Sequence, residues 1–283
     1  MLKTSTEIAS IAQIVGEIKA VELIARAGFD AYDLSLFEMA RFDGKQIVPT
    51  GHPLQSKDAL AYVRQIKQVA EDNGIYCNQS HAPFPVYFPP ILDMQKQAIE
   101  FTAEAGGKIC IIHPDNFKGP EENAEMYLEL LPFAKSCGVK IAAENMWNWS
   151  SERNEPCESA CSDPKSFLAH LQAVNDPYFV ACLDIGHAEM RTVGTSAPEM
   201  IRALGPHLQA LHVHDNDCWG DNHQLPFTMQ IDFDAVMTAL RDIGYAGYLT
   251  LEADAYCHGS TVETVAPKVG DMYQTARKLA EMI

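Results

Sequence analysis

Gly138-Val139-Lys140-Ile141-Ala142-Ala143-Glu144 contains the unit from which this chain is built. A helix ends at the glycine, a short apolar run follows, and an ionisable residue stands where the run stops. The unit recurs in both directions. Towards the N-terminus, Gly107 precedes Lys108–Ile112, Gly74 precedes Ile75–Gln79, and Gly28 precedes Ala31–Leu36. Towards the C-terminus, Gly205 precedes Leu208–His212 and Gly244 precedes Tyr248–Glu252. Phe179–Asp184 forms a seventh run after Asn175-Asp176-Pro177, and Lys3–Ser10 supplies an eighth. The stretches between carry helix signals. Ser56 reads as an N-cap before Leu60, Val63, Ile66 and Val69, and Asp163-Pro164 as an N-cap with a first-turn proline.

Nearly continuous apolar runs alternating with helices predict a parallel sheet covered on its outer face, and eight such units fill a closed barrel. The expected class is therefore α/β, a (βα)8 TIM barrel, with residues 1–283 as one domain. An open doubly wound sheet with fewer strands is the alternative. No Gly-x-Gly-x-x-Gly follows a strand and no Gly-Lys-Ser/Thr loop occurs, so no nucleotide cofactor is expected.

The composition, 47% hydrophobic and 21% charged, is that of a globular chain. No stretch approaches the roughly 18 uninterrupted apolar residues of a membrane span, and the N-terminus shows no apolar signal core. A cytoplasmic protein with no membrane partner is expected. Its 21 basic and 38 acidic residues leave a formal charge of −17, which argues against nucleic acid as a partner and for a small molecule. The eight cysteines are scattered, and some, such as Cys110, sit inside apolar runs, as reduced buried thiols do. Cys157 and Cys161 could form a metal or redox pair, but no second pair accompanies them.

Barrels do their chemistry at the carboxyl ends of their strands. Here the runs end at or just before His81, His113, Glu144, Asp184 with His187, His212 with His214, and Glu252, and a loop after the seventh run adds Asp215, Asp217, Asp221 and His223. One such residue alone is more often a helix cap or a hydrogen-bonded structural group. Together, carboxylates crowded at a barrel mouth repel one another unless protonated or bound to a cation, and neighbouring imidazoles complete a ligand shell for Zn2+ or Mn2+. His52, His170, His207 and His258 read instead as solvated residues of loops and helices.

Ser80-His81-Ala82-Pro83, Ile112-His113-Pro114, Ala143-Glu144-Asn145, Leu183-Asp184-Ile185-Gly186-His187, Leu211-His212-Val213-His214-Asp215 and Leu251-Glu252 resemble the motifs of the xylose isomerase-like TIM barrel superfamily. That superfamily includes sugar and sugar phosphate isomerases and epimerases and the endonuclease IV-type AP endonucleases, and the resemblance covers nearly the whole chain. For the ketose 3-epimerases it implies that Glu144, Asp184, His212 and Glu252 bind one Mn2+ or Co2+ and that His187 touches substrate. For the AP endonucleases it implies a zinc site that adds His81, His113, His187, Asp221 and His223. One departure stands out: the epimerases' substrate-binding arginine, six residues after the metal histidine, falls here on Cys218.

The expected activity is sugar isomerisation or epimerisation, in which a proton leaves a carbon beside a carbonyl while a divalent metal, Mn2+, Zn2+ or Co2+, holds the enediolate oxygens. Glu144 and Glu252 would be acid and base, and Asp184 and His212 ligands. His187 would bond a substrate hydroxyl or bind a second metal. Trp147 and Trp149 read either as an apolar wall for the sugar or as surface that joins copies in a homo-oligomer. The competing readings are a metal-dependent lyase or dehydratase on a sugar-like acid, an AP endonuclease, and a noncatalytic binding barrel.

Overall fold

In the computed structural model, which describes residues 1–283, the apolar runs become parallel strands. They are β1 (Lys3–Thr6), β2 (Ala31–Ser35), β3 (Tyr76–His81), β4 (Ile109–Ile111) and β5 (Lys140–Glu144). A hairpin, β6 (Trp147–Ser150) and β7 (Glu155–Glu158), then interrupts the series before β8 (Phe179–Asp184), β9 (Leu208–His212) and β10 (Tyr248–Leu251). A six-stranded sheet has the order β2-β3-β4-β5-β8-β9, and β1 pairs with β10. Parallel bridges from Glu7 to Asp33 and from Val213 to Leu251 join the two pieces into the ring of a TIM barrel. The register sets the strand ends at one rim: Ser35 lies beside His81, Glu144 beside Cys182, and Asp184 beside His212.

The helices cover the outside, as apolar strands require. The helix Val265–Ala280 shows how. Val265, Val269, Met272, Ala276, Leu279 and Ala280 are its buried residues, a stripe at helical spacing that packs inward while the intervening polar residues face water. Burying one such large side chain stabilises the fold by roughly 1.5–3 kcal/mol. Inside the ring, Ile111, Ala142, Val180, Cys182 and Ala210 form a small apolar cluster on one side. The other side is polar: the Ser5 hydroxyl donates to Asn78 at 2.7 Å, Asn78 donates to Thr250 at 3.2 Å, and Gln79 donates to Asp33 at 2.8 Å. These buried groups are expensive to desolvate singly and stable only as a connected network.

Four expectations change in detail. The first run stops at Thr6 rather than Ser10, because Glu7 takes the Ser10 N–H at 3.2 Å and turns the chain into the helix Ala9–Val15. Ser56 does not cap the next long helix, which begins at Ala59; its hydroxyl accepts the Asp58 N–H at 3.1 Å instead. After Glu104 the left-handed residue is Gly106, whereas Gly107 is required by close packing, since a Cβ there would lie 2.9 Å from Thr102. His170 is buried, bonded to the Ser166 carbonyl and to Asn123, and His52 is half-buried against Glu17; only His207 and His258 are exposed as expected. Asp163 does cap its helix, accepting from Lys165 and Ser166 at 2.8 and 3.0 Å.

Candidate functional site

Because β5, β8, β9 and β10 end at one rim, Glu144, Asp184, His212 and Glu252 meet: one ligand atom from each lies within 4.8 Å of the other three. All four are buried. His212 Nδ1 is 3.1 Å from Glu144 Oε1 and 3.2 Å from Glu252 Oε2. Asp184 keeps Oδ2 buried without any hydrogen-bond partner, an arrangement that costs free energy unless something else fills it. Three carboxylates, one of them with an orphaned oxygen, and one imidazole make a donor set that fits a divalent cation of the Mn2+, Zn2+ or Co2+ type.

Two further groups flank these four. His81 and His113 approach each other at 2.7 Å between their Nε2 atoms, and each faces Glu144 Oε2, at 3.6 and 3.2 Å. On the other side, His187 Nε2 and His223 Nε2 lie 3.2 and 3.1 Å from Asp221 Oδ2, while His214 Nε2 bridges to Asp184 Oδ1 at 3.1 Å. His187 is held by its own backbone: it sits one turn after Asp184, whose Oδ1 accepts its N–H at 2.7 Å, and its Nδ1 faces the Asn145 carbonyl at 2.8 Å. Trp147, at the start of the hairpin, donates to Asp221 at 3.4 Å, so its indole closes one side of the cleft; Trp149 points to solvent.

The two glutamates differ electrostatically. Burial raises both carboxyls. For Glu144, His212 and His113 outweigh burial and hold the group well below the usual carboxylate range. For Glu252, burial dominates; His212 and His223 oppose it, Glu144 and Asp254 add to it, and the carboxyl stays well above its ordinary value. Burial also works against a charged His187, but Asp184 and Asp221 outweigh it and push that imidazole up to about 10.

Several site residues were not among those expected from sequence. Asp33, buried in mid-strand, lies 3.2 Å from His212 Nε2. Asn145 cross-links two strands by donating to the Asp184 carbonyl at 2.9 Å and accepting the Asp184 N–H at 2.7 Å. His214, by contrast, was expected at the end of its run; it occupies space that only a glycine at position 186 allows, since a Cβ there would come within 2.0 Å of its ring. The signal for Asp33 was a charged residue inside the otherwise apolar Ala31–Leu36 run.

A family model described as xylose isomerase-like TIM barrel matches residues 21–276. The chain is 25% identical over 231 residues to the uncharacterized protein MJ1311 of Methanocaldococcus jannaschii, covering 75% of this chain and 74% of that protein. In three dimensions it superposes on a D-tagatose 3-epimerase-like protein with a TM-score of 0.73 at 19% identity, over 99% of this chain and 97% of that one. It superposes on an L-ribulose 3-epimerase with a TM-score of 0.70 at 16% identity, over 99% and 94%. These likenesses establish the barrel.

Proposed function

This chain belongs to the xylose isomerase-like TIM barrel family, and from that premise we propose that residues 1–283 form one barrel domain that isomerises or epimerises a sugar. One observation carries the reading. Glu144 and Glu252 reach the same His212 nitrogen from β5 and from the end of β10, with opposite protonation tendencies. Two carboxylates whose environments push them apart are the arrangement that gives one base and one acid. The epimerases among the superposed structures support it.

In this reading Glu144, Asp184, His212 and Glu252 hold a divalent cation. When bound, that ion supplies Lewis-acid stabilisation of carbonyl and hydroxyl oxygens on the substrate. The chain's own groups do the rest. One of Glu144 and Glu252 takes the proton from the carbon beside the carbonyl, and the other returns one to the opposite face or to the neighbouring carbon. His187, its ring fixed by the Asn145 carbonyl behind it, turns its Nε2–H from Asp221 to a substrate hydroxyl. Trp147 walls the sugar off from water. Eight free thiols, most of them buried, accord with work in the reducing cytoplasm.

The test is incubation with a panel of ketoses and aldoses in D2O with Mn2+. Deuterium entering one C–H position is the expected result; turnover without exchange on every substrate would overturn the proposal.

The flanking histidine groups favour a second reading, hydrolysis of a phosphodiester as in the AP endonucleases, because each also gathers within 4.8 Å. The charge of −17 weighs against it. Cleavage of an abasic duplex, with submicromolar binding at about 150 mM salt, would decide for the second reading.

A further inference from the structure

A cavity of about 710 Å3 opens beside the histidines, over the ends of β1, β2 and β3. Its inner wall is shared with the site. Phe37 stands edge-on to His81 with ring centres 4.8 Å apart, and Phe84 stacks on His113 at 4.8 Å. Both rings line the cavity, as does Ser35, the register partner of His81. The cavity thus adjoins the histidines across these two rings, while none of the proposed metal ligands lines it. It is larger than a single six-carbon sugar needs and falls in the range that encloses drug-sized ligands.

The lining restricts what can enter. The far end is closed by Glu17, whose carboxylate accepts from the Tyr62 hydroxyl at 2.7 Å and faces His52 Nε2 at 2.9 Å. His52 Nδ1 in turn accepts the Leu54 N–H at 3.2 Å, which turns Nε2 towards Glu17. The one arginine in the wall, Arg41, is already paired with Glu38 at 2.7 Å, and no lysine lines the cavity. A phosphate or carboxylate entering here would face the carboxylates of Glu17 and Glu38, with no unpaired arginine or lysine in the wall to receive it. Hydroxyl groups would find acceptors, and the C–H face of a sugar ring would find aromatic surface.

We infer that this cavity is a second sugar subsite, and that the substrate is a neutral glycoside or disaccharide whose reacting sugar enters the acidic centre while its second ring fills the space between Phe84 and Glu17. The inference rests on the sugar isomerase or epimerase reading. Its test does not depend on turnover.

Titration calorimetry in the presence of Mn2+ compares three probes without a carbonyl: an alditol, its 6-phosphate, and its 6-O-glucosyl derivative. The glucosyl alditol is expected to bind about tenfold tighter than the bare alditol, and the phosphate no tighter. Ala12→Phe, which fills the cavity from its wall, is expected to erase most of that difference; Gln13→Trp, at an exposed wall position, tests the same point if the first variant folds poorly. Equal binding of glucosyl and bare alditol, tighter binding of the phosphate than of the glucosyl probe, or a preference that survives both substitutions would overturn the subsite. Exchange in D2O is measured separately on the corresponding ketose and glucosyl ketose. Absence of exchange on both would remove the proposed activity while the calorimetry still decides the subsite.

Discussion

His212 presents Nδ1 to the glutamates of the barrel mouth and Nε2 to Asp33 Oδ2, 3.2 Å away in the interior. A carboxylate behind a ligating imidazole fixes its ring orientation and raises its basicity, and losing one typically costs about 10–100-fold in metal affinity. Asp33 is itself held by Gln79. Asp33→Asn is therefore expected to weaken Mn2+ binding about tenfold or more with the other ligands intact, measured by competition with a chelator. Unchanged affinity would show that His212 is oriented by the barrel alone.

Replacing either proposed acid–base residue by glutamine keeps an oxygen for the cation but removes the carboxylate that carries the proton. For Glu144→Gln and Glu252→Gln, turnover is expected to fall about a hundredfold or more, with the fold retained. The two variants should differ in which epimer still exchanges its C–H with D2O. Identical exchange behaviour would argue against two-sided proton transfer.

Glu7 gives a pH dependence that lies outside the site. Burial, helped by Asp254 and opposed by its bonds from Ser10, raises its carboxyl from 4.5 to about 8. The folded state thus binds a proton that the unfolded chain releases above 4.5, and stability falls as pH rises. The contribution is complete below pH 4.5 and lost by about pH 8. Glu7→Gln should flatten the decline of Tm between those limits, an effect on the order of a few kcal/mol in unfolding free energy. An unchanged slope in thermal scans across that range would place the decline elsewhere.

Gly186→Ala drives a methyl into the His214 ring, 2.0 Å from the nearest atom as built. The ring must leave Asp184, and overpacking of this kind costs about 1–3 kcal/mol. Chemical denaturation should report that loss, accompanied by weaker Mn2+ binding. A stable variant with normal affinity would mean that His214 moves aside freely.

The parts of this molecule that were legible in sequence are those encoded locally. Lys140–Glu144 declares its strand by apolar continuity and its rim residue by position, and the same rule located Asp184, His212 and Glu252. What was not legible depends on distant partners. Asp33 matters because the β2–β3 register sets it beside Gln79 and the curl of the ring brings it to His212. Glu17, His52 and Tyr62 come from three unrelated segments. The β6–β7 hairpin escaped notice because Glu155-Pro156-Cys157-Glu158 lacks strand character; Pro156 can sit opposite Trp149 only because this ribbon has free edges.

The ring of strands is completed late in the chain's own connectivity. Thr6 donates from its hydroxyl to the Leu251 carbonyl across 245 positions, the longest span that the barrel must close. Such a closure carries more chain entropy than any neighbouring pairing and is the slow kind of contact to form. Glu252 follows immediately on that strand, so the fourth side chain of the cluster arrives only with the final seam. Without that last strand the six-stranded sheet carries only three of the four groups, Glu144, Asp184 and His212.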